Sequence, residues 1–147
     1  MGRRGGITVG SHRLADEVVG QYVLAGRAVV TMKNKVSGSS IMFSVERKSV
    51  DAVRPENVWF VKVVDTEYRY LGLYNGLKLV RTKASEYAED SVEFQAFSIL
   101  VDRYINAFHP HPALEVYHNG CCGKCGRTLT NPESLTTGMG PICSGLK

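Results

Sequence analysis

The chain keeps all four of its cysteines for its far end: Cys121 and Cys122 adjoin, Cys125 follows, and Cys143 completes the set. The run Cys122-Gly123-Lys124-Cys125-Gly126 has the form of a metal knuckle. Two thiolates face one ion, and the glycines let backbone N–H groups turn toward the sulfurs. The surrounding tail is rich in glycine and poor in large apolar side chains. Burial alone is a weak source of order for such a segment, whereas a bound Zn2+ supplies it directly. Clustered cysteines also differ from the spread that a disulfide framework shows, which suits a reducing compartment.

The ligand set follows from spacing. Cys122 and Cys125 form the knuckle. Cys143 follows Gly138-Met139-Gly140-Pro141-Ile142, where a last helical turn is expected to begin and its N-terminal end favours a thiolate. Two residues compete for the fourth position. His118 stands four residues ahead of Cys122 at the end of an expected strand, so its ring can reach back over the knuckle. Cys121 is the rival, but its side chain leaves the backbone opposite to that of Cys122. His118 is favoured, giving a Cys₃His set with Cys121 in reserve and His109 and His111 behind it. Four protein ligands leave no position for a substrate water, so the expected zinc is structural. A deaminase-type zinc is excluded by order: Glu115 precedes His118, and no proline precedes Cys122. Reduced, unliganded thiols are the plainer alternative.

At 147 residues the chain suits one compact domain with a small appendage. Its charge is uneven. Residues 1–48 hold 8 Lys and Arg against 3 Asp and Glu, whereas 89–118 hold 1 against 5. A basic front permits phosphate binding without demanding it. No apolar stretch follows the first residues as a secretory signal would, and none approaches the length that spans a bilayer. A cytoplasmic location is expected, with no membrane partner.

Hydrophobic periodicity divides the rest. Residues 1–10 read as a flexible basic leader. Ser11 is placed to cap a helix to about Ala25, with Leu14, Val18, Tyr22 and Ala25 at helical spacing and Gly26 as its stop. A two-residue period then marks a hairpin: Ala28, Val30 and Met32, a turn at Ser37-Gly38-Ser39, then Ile41, Phe43 and Val45. After a loop around Arg54-Pro55-Glu56-Asn57 come strands at Trp59 to Val64, Glu67 to Tyr74 and Leu77 to Lys83, the last two joined at Asn75-Gly76. Asp90 or Ser91 opens a second helix to about Ala107, and a short strand at Leu114 to Tyr117 leads into the cysteines. The expected fold is α+β: a small antiparallel sheet of about five strands with one or two packed helices, plus a C-terminal treble-clef or ribbon-like zinc finger. The sheet domain is drawn over 11–112 and the finger over 113–147.

The stretch Val116-Tyr117-His118-Asn119-Gly120, Cys122-Gly123-Lys124-Cys125-Gly126-Arg127, Leu129-Thr130, Pro132-Glu133-Ser134 and Gly138-Met139-Gly140-Pro141-Ile142-Cys143 resembles a family of small proteins. They are widespread in bacteriophages and related bacterial elements and are catalogued as a domain of unknown function. The resemblance implies a zinc finger on a small sheet domain, phage-encoded, and supplies no activity. Cys121 departs from the family pattern, where a basic residue is more usual.

Two surfaces invite a nucleic acid. Lys33, Lys35, Arg47 and Lys48 fall on the first hairpin, and Lys124 and Arg127 lie in the knuckle, where phosphate contact is expected. Edge protection and charge compensation of the thiolates are the plainer readings. Tyr68, Tyr70 and Tyr74 are expected on one strand face, either stacking bases or packing beneath a helix. No nucleophile–base pair, phosphate loop or dinucleotide fingerprint appears, and Gly138-Met139-Gly140 lacks the strand–turn–helix setting. The expectation is a zinc-stabilised, non-enzymatic nucleic-acid-binding protein. Its alternative is a protein-binding adaptor or inhibitor of a host defence, transcription or replication machine, acting in the host cytoplasm.

Overall fold

The computed structural model describes residues 12–47, 58–119 and 121. In chain order these form β1 (His12–Arg13), α1 (Asp16–Val23), β2 (Arg27–Asn34), β3 (Ser40–Arg47), β4 (Trp59–Val64), β5 (Tyr68–Tyr74), β6 (Leu79–Val80), α2 (Val92–Leu100) and β7 (Leu114–His118). The strands build one seven-stranded antiparallel sheet in the order β1-β7-β2-β3-β4-β5-β6. The class is α+β as expected, with more strands than the five or so anticipated.

The β2–β3 hairpin forms where alternation placed it. Val30 pairs with Phe43 and Ala28 with Val45, so one face of the ladder is apolar. Its turn is held by the Asn34 side chain, whose Oδ1 accepts from the N–H groups of Val36 at 2.9 Å and Ser37 at 3.1 Å. Gly38 supplies the φ of 80° that closes it.

In β5 the register slips by one residue. Val61 pairs with Gly72 but Lys62 pairs with Tyr70, leaving Leu71 as the extra residue of a bulge. A bulge reverses which side chains share a face. Leu71 and Tyr74 are therefore both buried in the core, while Tyr68 is 54 % exposed and Tyr70 half-buried. The expectation that Tyr68, Tyr70 and Tyr74 share one face is corrected here. Strand parity cannot anticipate an inserted residue.

Both helices pack on the face carrying Val30, Phe43, Val45, Val61 and Leu71. Phe97 of α2 meets Phe43 edge-to-face with ring centroids 5.2 Å apart. Trp59 lies against Tyr74 and its indole N–H donates to the Leu24 carbonyl at 3.1 Å, closing the end of α1 onto the sheet. Ser91 caps α2 as expected, its hydroxyl oxygen accepting from the Phe94 N–H at 3.1 Å. The helix then widens into a π-helical segment, Val101–Ile105, with the Asn106 N–H bonded to the Val101 carbonyl at 2.8 Å.

Two ends differ from the sequence expectation. The first helix starts at Asp16, not Ser11, because His12 and Arg13 pair with β7 and the Leu14 N–H donates to the Val116 carbonyl at 2.8 Å. A strand offering free backbone groups outcompetes a helical turn that would leave its own first N–H groups unpaired. The expected strand at Leu77 to Lys83 shortens to Leu79–Val80. Asn75 Oδ1 takes the N–H groups of Leu77 and Lys78 into the turn, and Thr82 bonds Ser85 to bend the chain away. The Glu86 N–H then covers the Tyr70 carbonyl on the outer edge of β5 at 2.9 Å. The loop expected around Arg54-Pro55 lies outside the described residues. Among the described residues no helix is long and apolar enough to cross a membrane.

Gly20 of α1 is set so close to the Tyr104 carbonyl oxygen that a Cβ there would overlap it. Gly20→Ala should push α1 off the π-helical segment and destabilise the fold by about 1–3 kcal/mol. Urea unfolding checks this, and a midpoint equal to that of the parent protein contradicts it.

Candidate metal centre and helix-free face

Strand β7 carries the chain to the candidate metal ligands, and it does so from inside the sheet. His118 pairs with His12 of β1 on one side and with Val30 of β2 on the other. Its side chain is fully buried. The ring is stacked on His12, with centroids 5.2 Å apart and planes at 28°, and meets Tyr22 of α1 at 5.5 Å. The boundary drawn between residues 112 and 113 thus separates β7 from the sheet to which it is hydrogen-bonded.

Three residues on, Cys121 is half-buried. Its carbonyl lies 3.4 Å from the Tyr22 hydroxyl, which is also 3.4 Å from the Val29 carbonyl. Between His118 and Cys121 in the sequence, the Oδ1 of Asn119 is buried and has no hydrogen-bond partner among the described residues. His118 and Cys121 are the two members of the predicted ligand set among the described residues; Cys122, Cys125 and Cys143 lie outside them. No group of three or more His, Cys, Asp or Glu among the described residues is arranged to hold a metal. An imidazole and thiols are donors suited to zinc, and at the end of β7 the structure sets the His118 ring and the Cys121 backbone carbonyl against Tyr22.

The predicted basic residues divide. Lys33 and Lys35 sit at the turn end of the β2–β3 hairpin, where the Lys35 N–H donates to the Ala113 carbonyl at 2.8 Å. Arg47 pairs with Trp59 at the other end, seven residues beyond the Ser40 partner of Lys33. At ~3.3 Å per residue that is roughly 23 Å. Lys33 and Arg47 also fall on opposite faces, since Arg47 shares parity with Phe43 and Val45. Lys48, Lys124 and Arg127 lie outside the described residues.

The face opposite the helices carries a different set. Register aligns Arg13, Tyr117, Thr31, Met42, Val64 and Tyr68 in one row across the sheet. The next row is Val29, Ser44, Lys62 and Tyr70, and the one after holds Arg27, Glu46, Phe60 and Leu73. Phe60 and Tyr70 meet edge-to-face at 6.1 Å, and Lys62, two residues beyond Phe60 on β4, pairs with Tyr70. Thr31, Met42 and Val64 are buried on this face, while Phe60, Lys62 and Tyr70 are half-buried. Glu115 is engaged: it accepts the Tyr117 hydroxyl at 2.8 Å and lies 3.9 Å from Arg13. Sequence reasoning did not single out Arg13, Arg27, His12 or Phe60. The pattern of β2 and β3 could have placed Arg27, but His12 and Arg13 emerge only from the pairing of β1 with β7.

Residues 112–145 match the model of DUF6011, a family of unknown function. The matched stretch takes in β7 together with all four cysteines. No curated protein and no solved structure matches the chain.

The Glu115 bond to Tyr117 holds its phenol above the ordinary value, and burial does the same for Tyr74 and Tyr104. A raised pKa in the folded state stabilises the fold fully below about pH 10 and loses that contribution as pH climbs through the raised value. Alkaline titration followed by phenolate absorbance should therefore lag behind that of the urea-unfolded chain. Glu115→Gln should remove part of the lag. Coincident curves for folded and unfolded chains would contradict this.

Proposed function

We propose that the chain is a zinc-stabilised, non-enzymatic nucleic-acid-binding protein of phage origin. Cys122, Cys125, Cys143 and His118 hold a structural Zn2+, with Cys121 as the reserve ligand. Support for the metal comes from the knuckle spacing and from the closeness of His118 and the Cys121 backbone, both in contact with Tyr22. Support for the nucleic acid comes from the helix-free face. There Lys62 pairs with Tyr70 beside the Phe60–Tyr70 ring contact, with Lys33, Arg13 and Arg27 on the same face. Cations neutralise phosphates, and half-exposed rings give bases a surface to stack on. Lys35 at the hairpin tip extends the basic set; Lys48, Lys124 and Arg127 are further phosphate-contact candidates, and Arg47 is one on the opposite face.

A protein-binding role, as an adaptor or inhibitor of a host machine, is the second reading. Val92 and Ile99 lie seven residues apart on α2, 70 % and 39 % exposed, and Leu77 and Phe108 are exposed as well. Isolated apolar residues at a surface are ordinary, whereas a contiguous apolar patch marks a protein interface.

Binding to mixed-sequence DNA or RNA should fall steeply between low and moderate salt. Replacing Lys33 and Lys62 together by Ala should weaken it for all sequences and flatten the salt dependence by about 1–2 in the log–log slope. Salt-tolerant capture of one host protein, with no nucleic-acid binding, favours the second reading instead. For the metal, Cys125→Ser should abolish stoichiometric zinc in elemental analysis of the purified protein. Equal zinc in the parent and the variant would remove Cys125 from the ligand set.

A further inference from the structure

Among the described residues, one side chain outside the ligand set touches both candidate ligands. Tyr22 is on α1, far in sequence from the cysteines, and 1 % exposed. Its ring packs on His118, and its hydroxyl lies within 3.4 Å of the Cys121 carbonyl. The same hydroxyl lies 3.4 Å from the Val29 carbonyl of β2. One acceptor belongs to the sheet and the other adjoins the knuckle.

We propose that Tyr22 is a positioning residue for the zinc centre: it fixes the His118 ring by packing and holds the backbone carbonyl of Cys121. This rests on the metal reading given above. The physical case is one of orientation. A ring confined between His12 and Tyr22 has few rotamers left, so it is already aimed before an ion arrives. A carbonyl held from α1 fixes the backbone at Cys121, the residue that precedes Cys122 in the sequence. Groups that orient metal ligands in this way commonly alter metal affinity by about 10- to 100-fold when removed.

The position of Tyr22 is itself determined by packing. Gly20 lets α1 rest directly on the Tyr104 carbonyl, and the Trp59 indole holds the helix end at Leu24. The centre is thereby supported from α1 as well as from β7.

Tyr22→Phe keeps the ring and deletes the hydroxyl. Tyr74→Phe removes another buried hydroxyl, one directed at Asn106 and not at the candidate ligands, and serves as the control. Zinc transfer from the full chain to an excess of a colorimetric chelator is timed for each. Melting temperatures are measured with and without zinc, since that gap reports metal linkage separately from general stability. Tyr22→Phe should release zinc about tenfold faster and narrow the gap, while Tyr74→Phe leaves both as in the parent. Tyr22→Leu should exceed Tyr22→Phe, because the ring contact with His118 goes too. Equal release from Tyr22→Phe, Tyr74→Phe and the parent overturns the proposal while leaving the metal reading standing. A parent protein purified without stoichiometric zinc sinks the metal reading, and this proposal with it.

Discussion

The insertion of β7 between β1 and β2 is the arrangement on which the rest of the structure depends. Five residue pairs tie β7 to β2, and two more tie it to β1. Remove it and β2 becomes an edge strand, while β1 has no partner at all. Leu14, the buried residue that leads into α1, donates its N–H to Val116 of the same strand. A strand paired on both sides has its backbone groups satisfied, which leaves only short strands at the sheet margins. The last described strand thus organises the first, although nearly the whole domain separates them in sequence.

That position also decides what kind of residue His118 is. At the end of β7 it stands in both ladders and contributes a fully buried ring to the space beneath α1. A buried imidazole is costly unless its polar atoms have partners, so such a position is more demanding than a surface one. The DUF6011 match begins ahead of β7 and continues through Cys143, so sheet strand and cysteine segment both fall within the matched stretch. Metal binding, on the proposed reading, would then contribute to the stability of the sheet and not merely order a tail.

The two faces of the sheet separate packing from display. On one, α1 and α2 bury a continuous apolar core, and Gly20 against Tyr104 sets how closely α1 approaches. On the other, β4 and β5 present Phe60, Lys62, Tyr70 and Tyr68. The bulge at Leu71 makes this division possible. Without the extra residue, Tyr70 and Tyr74 would take the same side, and either the core would lose Tyr74 or the opposite face would lose Tyr70. Ion pairs on this surface, such as Arg13 with Glu115, contribute little to stability, since exposed pairs typically give about 0–1 kcal/mol.

Local pattern alone carried several elements. The alternation through Ala28, Val30 and Met32, the Ser91 cap and the Asn75-Gly76 turn each encode their structure within a few residues, because hydrogen bonds and φ preferences act at that range. What lay beyond such reading depended on partners distant in the chain. His12 and Arg13 look like the start of a helix until β7 arrives to pair with them. Lys33 and Arg47 look adjacent on a hairpin until its length separates them. The face of Tyr74 turns on one slipped residue, and the meeting of Tyr22 with His118 and Cys121 exists only after α1 is packed on the sheet. Side-chain type and short-range spacing belong to the sequence; which groups face one another is decided by registers and packing that no local window contains.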